Sequence, residues 1–371
     1  MKFNIQSKLL LHQLQAVSKV VNSKNTLAIL DNFLFNLDGD QLVITGSDQD
    51  TTLTTHVQVS GAEGNGKFAA NVKQMLDLLK ELPDMGLEFS VNDANLEIDI
   101  RHQNGRSHFI GVNGNEFPGK AVTDEEQSVM TLPIEKVVKG LQHTVFAVGT
   151  ETLRPMMMGV YWDIKPEEIA FVATDTHKLV RYTQKNLSTG LERAFILPTK
   201  PATILASILE KKEGNVKVSF DSKSATFETD DYSLTCRFIN GRYPNYNSVI
   251  PQDNQYAVTV DRASLLSAIK RVSVFSSPGG LVKLQLHPNQ IEMTTQNIDF
   301  STSAEERVQC EYEGVDMLIG FNDDNIIDVL NNIAGDTIII KLMDASRAGL
   351  FLPGSQEENE DLLVLLMPMM I

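Results

Sequence analysis

Cysteine, tryptophan and long apolar runs are all scarce in this 371-residue chain. Its two cysteines, Cys236 and Cys310, are too few for a disulfide framework or a Cys-rich zinc site. Both sit in strand-like sequence, so they are expected to be reduced structural thiols. The apolar stretches over residues 156–162 and 362–371 fall well short of the roughly 20 residues that cross a bilayer. No membrane span is expected. The opening Met1-Lys2-Phe3-Asn4 lacks the longer apolar run and small-residue cleavage site of a secretory signal, which predicts a cytoplasmic chain. Basic residues are also short: acidic ones outnumber them 48 to 32, leaving a net charge of -16. That balance excludes a protein that coats nucleic acid with its whole surface, because phosphate binding needs clustered Lys and Arg. A local basic face is still allowed, so any DNA contact must come from placement.

What is present is a globular composition, 42% hydrophobic and 22% charged, with length for two or three domains. The chain repeats itself. A short strand-like run followed by an amphipathic helix occurs at residues 2–5 and 8–21, again at 129–132 and 134–147, and again at 256–260 and 263–275. The period is roughly 125 residues, an ordinary domain size. Strands ending in a polar turn recur at 42–48, 169–175 and 291–297, and second helices at 72–82, 202–209 and 325–333. Each second helix is entered from a strand, at 67–70, 194–197 and 317–320, and is followed by an alternating strand pair. Landmarks kept in this order three times predict three repeated domains, over residues 1–124, 129–251 and 252–371, with joints near 123–128 and 251–254.

The first helix of each repeat has a biased polar side. In the first, Leu10, Leu14, Val17 and Val21 form an apolar stripe, and Lys8, His12, Gln15 and Lys19 form another. In the second, Val137, Leu141 and Val145 oppose Lys136, Lys139 and His143. In the third, Leu265, Ile269 and Val272 oppose Ser264, Ser267 and Arg271, flanked by Lys270 and Arg262. Acidic residues are scarce on these stripes despite their overall excess. One reading is an ordinary solvated face. The other is a set of faces converging on a polyanion and touching phosphates, since Lys, His and Ser stripes lack the Arg, Asn and Gln arrays that read base edges.

The segment Ala173-Thr-Asp-Thr-His-Lys-Leu179 places Asp175 near His177, which invites an acid–base reading. No nucleophile motif, phosphate-binding glycine loop or His-Glu-x-x-His pattern accompanies it. No catalytic residue, metal or cofactor is therefore expected, and a structural or peptide-pocket role suits the pair better.

That segment is one of several motifs carrying a resemblance. The others are Met1-Lys2-Phe3, Thr26-Leu-Ala-Ile-Leu30, residues 154–159, Asn240-Gly-Arg-Tyr-Pro-Asn-Tyr246 followed by Val249-Ile-Pro251, Phe321-Asn322, and Leu366-Met-Pro-Met-Met-Ile371. In this order and spacing the chain resembles the bacterial DNA polymerase III β subunit family, the sliding clamps, over essentially its whole length. The resemblance implies an α+β fold of three repeated DNA-clamp domains, each with two helices packed on antiparallel sheets. It further implies a head-to-tail homodimeric ring, helices inside and sheets outside, through which duplex DNA passes without sequence specificity. The implied role is a non-enzymatic processivity factor that tethers the replicative polymerase to DNA.

By motif position the resemblance puts DNA contacts on Lys24, Arg154 and Lys200. It puts a partner-peptide pocket on Met157, Thr174, Thr176, His177, Lys178, Leu179, Pro244, Val249, Leu365, Leu366, Met367, Pro368 and Met369. The implied occupants are peptides of the polymerase α subunit, of clamp-loader subunits, and of other polymerases and repair proteins. Adaptable Met side chains and an apolar C-terminal tail suit such a pocket. A dimer seam is expected from Arg106 and Phe109 facing Phe275, Glu305 and Glu306. The chain departs from the common pattern at Lys178, Ser248 and Met370, which replace frequent arginines, and at Asn325, Pro155 and Met156, which stand where aromatics are common. Two rival functions are a peptide-binding scaffold without topological hold on DNA and a hydrolase using Asp175 and His177.

Overall fold

A computed structural model describes residues 1–22, 24–119, 127–277 and 279–371. Most of the expected joint at 123–128, and the expected end of the first domain at 124, lie outside the described residues. The described chain divides into two compact units: residues 1–135 with 203–238, and residues 136–202 with 239–371.

Six α-helices occur among the described residues: α1 (Ser7–Ser18), α2 (Val72–Glu81), α3 (Ile134–Gln142), α4 (Thr199–Leu209), α5 (Arg262–Ser273) and α6 (Asp323–Asn332). They fall two to a repeat, each directly after a strand, as the periodicity predicts. Several starts are set by side-chain caps. Asn71, Asp261 and Asn322 accept the backbone N–H of Gln74, Ser264 and Asn325 at 3.0, 2.7 and 2.9 Å, which satisfies donors the helix itself leaves open. Helix α1 has no such cap; the Ser7 hydroxyl donates to Pro83 O and accepts from Met85 N instead.

The first unit holds a five-stranded antiparallel sheet in the order Ser60–Glu63, Lys2–Gln6, Gly86–Val91, Glu97–His102, Gly105–Ile110. It also holds a nine-stranded sheet that runs from Val112–Asn113 through the strands of the first repeat to those of the second. The two sets meet where Thr51–Gln58 pairs antiparallel with Tyr232–Arg237, Leu53 opposite Leu234. Leu10, Leu14 and Val17 of α1 and Met75 and Leu79 of α2 are buried, and the same unit holds stacked Phe3–Phe89 and Phe35–Phe68 pairs. Gly46 allows α1 to lie on its strand, since a Cβ there would stand 2.8 Å from Val17.

The second unit carries one twelve-stranded sheet. Its middle is a second joint of the same kind, Lys178–Lys185 paired antiparallel with Glu360–Leu366. Here a strand of the second repeat meets the last strand of the third. Trp162, Phe171 and Phe195 pack beside it, and α3 comes close at Gly140, where a Cβ would collide with the Phe171 ring.

Two stripes end sooner than expected. Helix α1 stops at Ser18, and the tighter bond from Val20 N to Val17 O turns Val20 into the core and leaves Val21 half-buried. Helix α3 stops at Gln142, where the buried Thr144 hydroxyl donates back to Gly140 O at 2.6 Å, so Val145 is also only half-buried.

Candidate functional site

The residues expected to form the peptide pocket all belong to the second unit. Strand Glu168–Thr174 ends in a tight turn whose residues are locked from several sides. The Asp175 carboxylate accepts the backbone N–H of His177 and of Lys178 at 2.9 and 2.8 Å, and the Lys178 ammonium at 2.8 Å. The Thr174 hydroxyl accepts Thr176 N–H and donates to Lys178 O. These bonds hold Thr176 at φ +80°, a conformation a β-branched residue adopts at a cost of about 1 kcal/mol or more. Asp175 thus touches His177 through the backbone, and its carboxylate is committed to the turn and to Lys178. The geometry of a hydrolytic Asp–His pair is absent.

Lys178 is only 6% exposed. Its ammonium also reaches Asn325 Oδ1 at 2.9 Å and Asp328 at 3.6 Å, both on α6. A cation this buried needs such partners, and the polar Asn325 supplies what an aromatic side chain at that position lacks. The departures at 178 and 325 are therefore one coupled feature.

The C-terminal tail continues the joint. Met367 N donates to His177 O and Met369 N to Gly320 O, each at 2.8 Å. Of the residues expected at the pocket, Leu179, Leu365 and Leu366 are buried, as are Thr174 and Lys178. Met157 and Pro368 are half-buried, and Thr176, His177, Pro244, Val249, Met367 and Met369 are exposed. Leu179 and Leu365 belong to an apolar cluster that includes Val172, Tyr243, Tyr246 and Leu350. Within the Asn240–Tyr246 motif, Tyr243 stacks on Tyr161 at 4.5 Å and the Tyr246 hydroxyl donates to Asp163 at 2.7 Å; burial, followed by the Asp163 contact, raises the Tyr246 pKa. The motif is an anchor that leaves Pro244 outward. Between the turn and the Pro155–Met157 turn lies a cavity of about 140 Å³, lined by Arg154, Met157, Asp175, Thr176 and His177 among others. Its presence links Arg154, expected at DNA, to the edge of the pocket.

Of the expected DNA residues, Lys24 is exposed in the turn after α1, Arg154 is exposed, and Lys200 is half-buried in the first turn of α4. The Thr199 hydroxyl donates to Met158 O at 2.7 Å, which ties the start of α4 to the segment carrying Arg154. The three basic stripes prove unequal. On α1, Lys8, His12, Gln15 and Lys19 are all exposed, although Lys19 contacts the Ser207 hydroxyl. On α3, Lys139 and Lys136 bind Glu360 at 2.9 and 3.2 Å. Burial works against charge on Glu360, but hydrogen bonds from Lys139, Tyr182, Lys136 and Gln184 outweigh it and pull the carboxyl down to about 2. His143 packs on Tyr182 and burial lowers its pKa. On α5, Arg271 makes a bidentate pair with Glu306 at 2.8 and 2.9 Å, and Arg262 donates to Gly335 O and Leu330 O. Carboxylates and carbonyls of this chain engage basic residues on or beside two of the three stripes, and sequence spacing alone does not reveal distant acceptors such as Glu360.

At the expected seam, Phe109 is half-buried and Phe275 is 44% exposed. Arg106 binds Asp99, and Arg307 binds Glu305 at 2.6 Å. Ile110, Val274, Ile298 and Phe300, which lie close in sequence to the expected seam residues or edge strands and were not among those expected, are each more than 70% exposed.

Comparison with known proteins completes the description. Family models for the DNA polymerase III beta subunit match its N-terminal domain at residues 1–120, its central domain at 131–245 and its C-terminal domain at 247–370. The chain belongs to the DNA polymerase III beta subunit family. The beta sliding clamp of Pseudomonas putida is 28% identical, with all of both chains covered, and that of Bacillus subtilis is 27% identical over 94% of each. A sliding clamp from Bartonella birtlesii, solved bound to griselimycin, superposes with a TM-score of 0.93 at 25% identity, and one from Pseudomonas aeruginosa with 0.92 at 26%; both cover each chain completely. Like other beta subunits, this protein is built of three repeated clamp domains and acts as a non-catalytic DNA sliding clamp, the processivity factor of DNA polymerase III. Its family binds DNA, the polymerase and other clamp-binding proteins. Among the described residues no helix is long and apolar enough to cross a membrane.

Proposed function

We propose that two copies of this beta subunit close a ring by joining residues 302–309 of one to Gly105–Ile110 of the other, head to tail. One observation carries the reading. The fourth strand of the first repeat pairs with the last strand of the second, and the fourth strand of the second with the last strand of the third. Among the described residues the same logic leaves the fourth strand of the third repeat, and the end strand of the five-stranded sheet of the first, without such a mate. Strand Gly105–Ile110 ends its sheet, and Thr302–Tyr312 meets Tyr256–Asp261 only through residues 310–312. Open edges invite strand addition, and Phe109 and Phe275 with their exposed apolar neighbours supply the contact that fixes it. Three domains per chain then let two chains complete the circle.

In this reading Lys24, Arg154 and Lys200 touch phosphates of any duplex inside the ring. The exposed face of α1 adds the least encumbered of the three basic stripes. The pocket takes short peptides with apolar ends, from the polymerase α subunit, the clamp loader and repair proteins, against Met157, Leu179, Pro244, Val249 and residues 365–369. The domains run over 1–124, 129–251 and 252–371, and the protein works in the cytoplasm. The deciding experiment loads the protein onto nicked circular DNA with its cognate loader and measures retention at high salt before and after the circle is cut. Retention that vanishes on cutting is expected of a topological link; loss from intact circles at high salt marks ordinary surface binding and defeats the ring.

A further inference from the structure

The pocket rim is rich in one side chain. Of thirteen methionines in the chain, six lie in two short segments, Met156, Met157 and Met158, and Met367, Met369 and Met370. Both segments border His177: Met157 shares its cavity, and Met367 N bonds to its carbonyl. Met370 is 98% exposed, Met367 43% and Met369 37%, whereas Met75, Met130, Met293 and Met317 are buried. The thiols offer no comparable target. Cys236 is buried and its thiol is pushed up to about 12, and burial raises Cys310 as well, so little thiolate exists at neutral pH.

We propose that this rim is a sulfoxidation site, at which peroxide oxidises Met367, Met369 and Met370 and the resulting sulfoxides weaken docking of the partner peptide. The proposal rests on the pocket reading above. In the step, a thioether lone pair attacks one peroxide oxygen; the S–O bond forms as the O–O bond breaks, and the departing hydroxide takes the proton of the new S–OH group, leaving as water and the sulfur as a sulfoxide. Sulfur loses the two electrons that reduce the peroxide. A soft apolar surface that adapts to its ligand becomes a strong dipole, which must be stripped of water when an apolar peptide end arrives. The backbone is unaffected. Met367 and Met369 are pinned by main-chain bonds to His177 and Gly320, and a Cβ on Gly320 would stand 3.3 Å from Met369 O, so the tail path is set by main-chain contacts that oxidation leaves in place. The chemistry therefore alters recognition and spares the fold, and a methionine sulfoxide reductase can reverse it.

The test uses the full-length protein and a fluorescent peptide carrying the clamp-binding segment of its cognate polymerase α subunit. Hydrogen peroxide is added in limiting amount, sulfoxides are mapped by mass spectrometry, and peptide affinity is read by anisotropy. Met370 and Met367 are expected to oxidise before Met75, Met130, Met293 and Met317, with Kd rising at least about tenfold and recovering after reductase treatment, in line with the change from apolar to polar side chain. A combined Met367→Leu, Met369→Leu, Met370→Leu variant, compared with itself before and after peroxide, is expected to show no peroxide-dependent change in Kd, whatever its starting affinity. An unchanged Kd in protein whose rim is fully oxidised overturns the proposal, as does a triple variant that remains sensitive. If the reduced protein ignores the peptide, the pocket reading itself falls and takes the proposal with it; binding by reduced protein with no response to oxidation leaves the pocket standing and removes only the switch.

Discussion

One structural position occurs three times along the chain, twice closed and once open, and the closed and open versions are built from different side chains. At the closed joint Lys178–Lys185 with Glu360–Leu366, residues Leu362 through Leu366 are all buried on both faces of the strand. At the open edge, residues 302–309 alternate half-buried and exposed and carry Glu305, Glu306 and Arg307. Continuous apolar sequence makes a permanent seam, since such a strand has no face it can leave in water. Alternation with charge makes an edge that survives exposure between encounters. The charges are also balanced locally, Arg271 with Glu306 and Arg106 with Asp99, so in the proposed ring adhesion at the edge falls to backbone pairing and to the apolar side chains around it. Exposed ion pairs of this kind contribute little.

The contrast predicts opposite phenotypes. Phe109→Asp combined with Phe275→Asp should have the largest effect, converting dimer to monomer in sedimentation and abolishing retention on circular DNA, with little change in melting because both residues are partly exposed. A mass that stays dimeric would refute the assigned seam. Leu234→Ala strikes a closed joint, where Leu234 is fully buried opposite Leu53; it should cost about 2–5 kcal/mol in denaturant unfolding while leaving the dimer constant of the folded protein nearly unchanged. Equal effects on both quantities would erase the distinction between joint and edge.

The smallest effect concerns pH. Glu360 sits in the second joint opposite Gln184, with its carboxyl held at about 2 against an ordinary value near 4.3. A depressed pKa means the folded state favours the ionised form. Its contribution is complete above the unfolded value and is lost as pH falls from about 5 toward 2. Glu360→Gln should therefore lower stability at neutral pH and flatten that part of the acid limb in a pH series of unfolding curves. An acid limb identical to that of the parent would mean that the carboxylate adds nothing to the joint.

Much of this architecture was legible before any coordinates. The strand-then-helix opening of each repeat, the second helices and the buried faces of α1, α3 and α5 follow from spacing, because periodicity of 3.6 or 2 reflects which side of an element meets the core. Errors concentrate where a distant group intervenes. Val20 replaced Val21 because α1 ends early. Lys136 and Lys139 read as a solvated or phosphate-facing stripe until Glu360, more than 200 positions away, supplied a carboxylate. Lys178 and Asn325 read as two separate departures until one hydrogen bond joined them. For the proposed pocket, the sequence motifs named the segments but did not divide them into buried residues at Leu179, Leu365 and Leu366 and exposed ones at Pro244, Val249 and Met367.

By itself, then, the sequence determined the triplication, the element types and the absence of catalytic motifs, all of which depend on patterns within a few turns or strands. Only the tertiary structure decided which strands find partners inside the chain and which edges stay open. It alone also decided which lysines are occupied by carboxylates of the same chain. Strand pairing and buried ion pairs depend on residues far apart in sequence, and the equivalent strands at residues 51–58, 178–185 and 302–309 acquire different fates from what folds beside them.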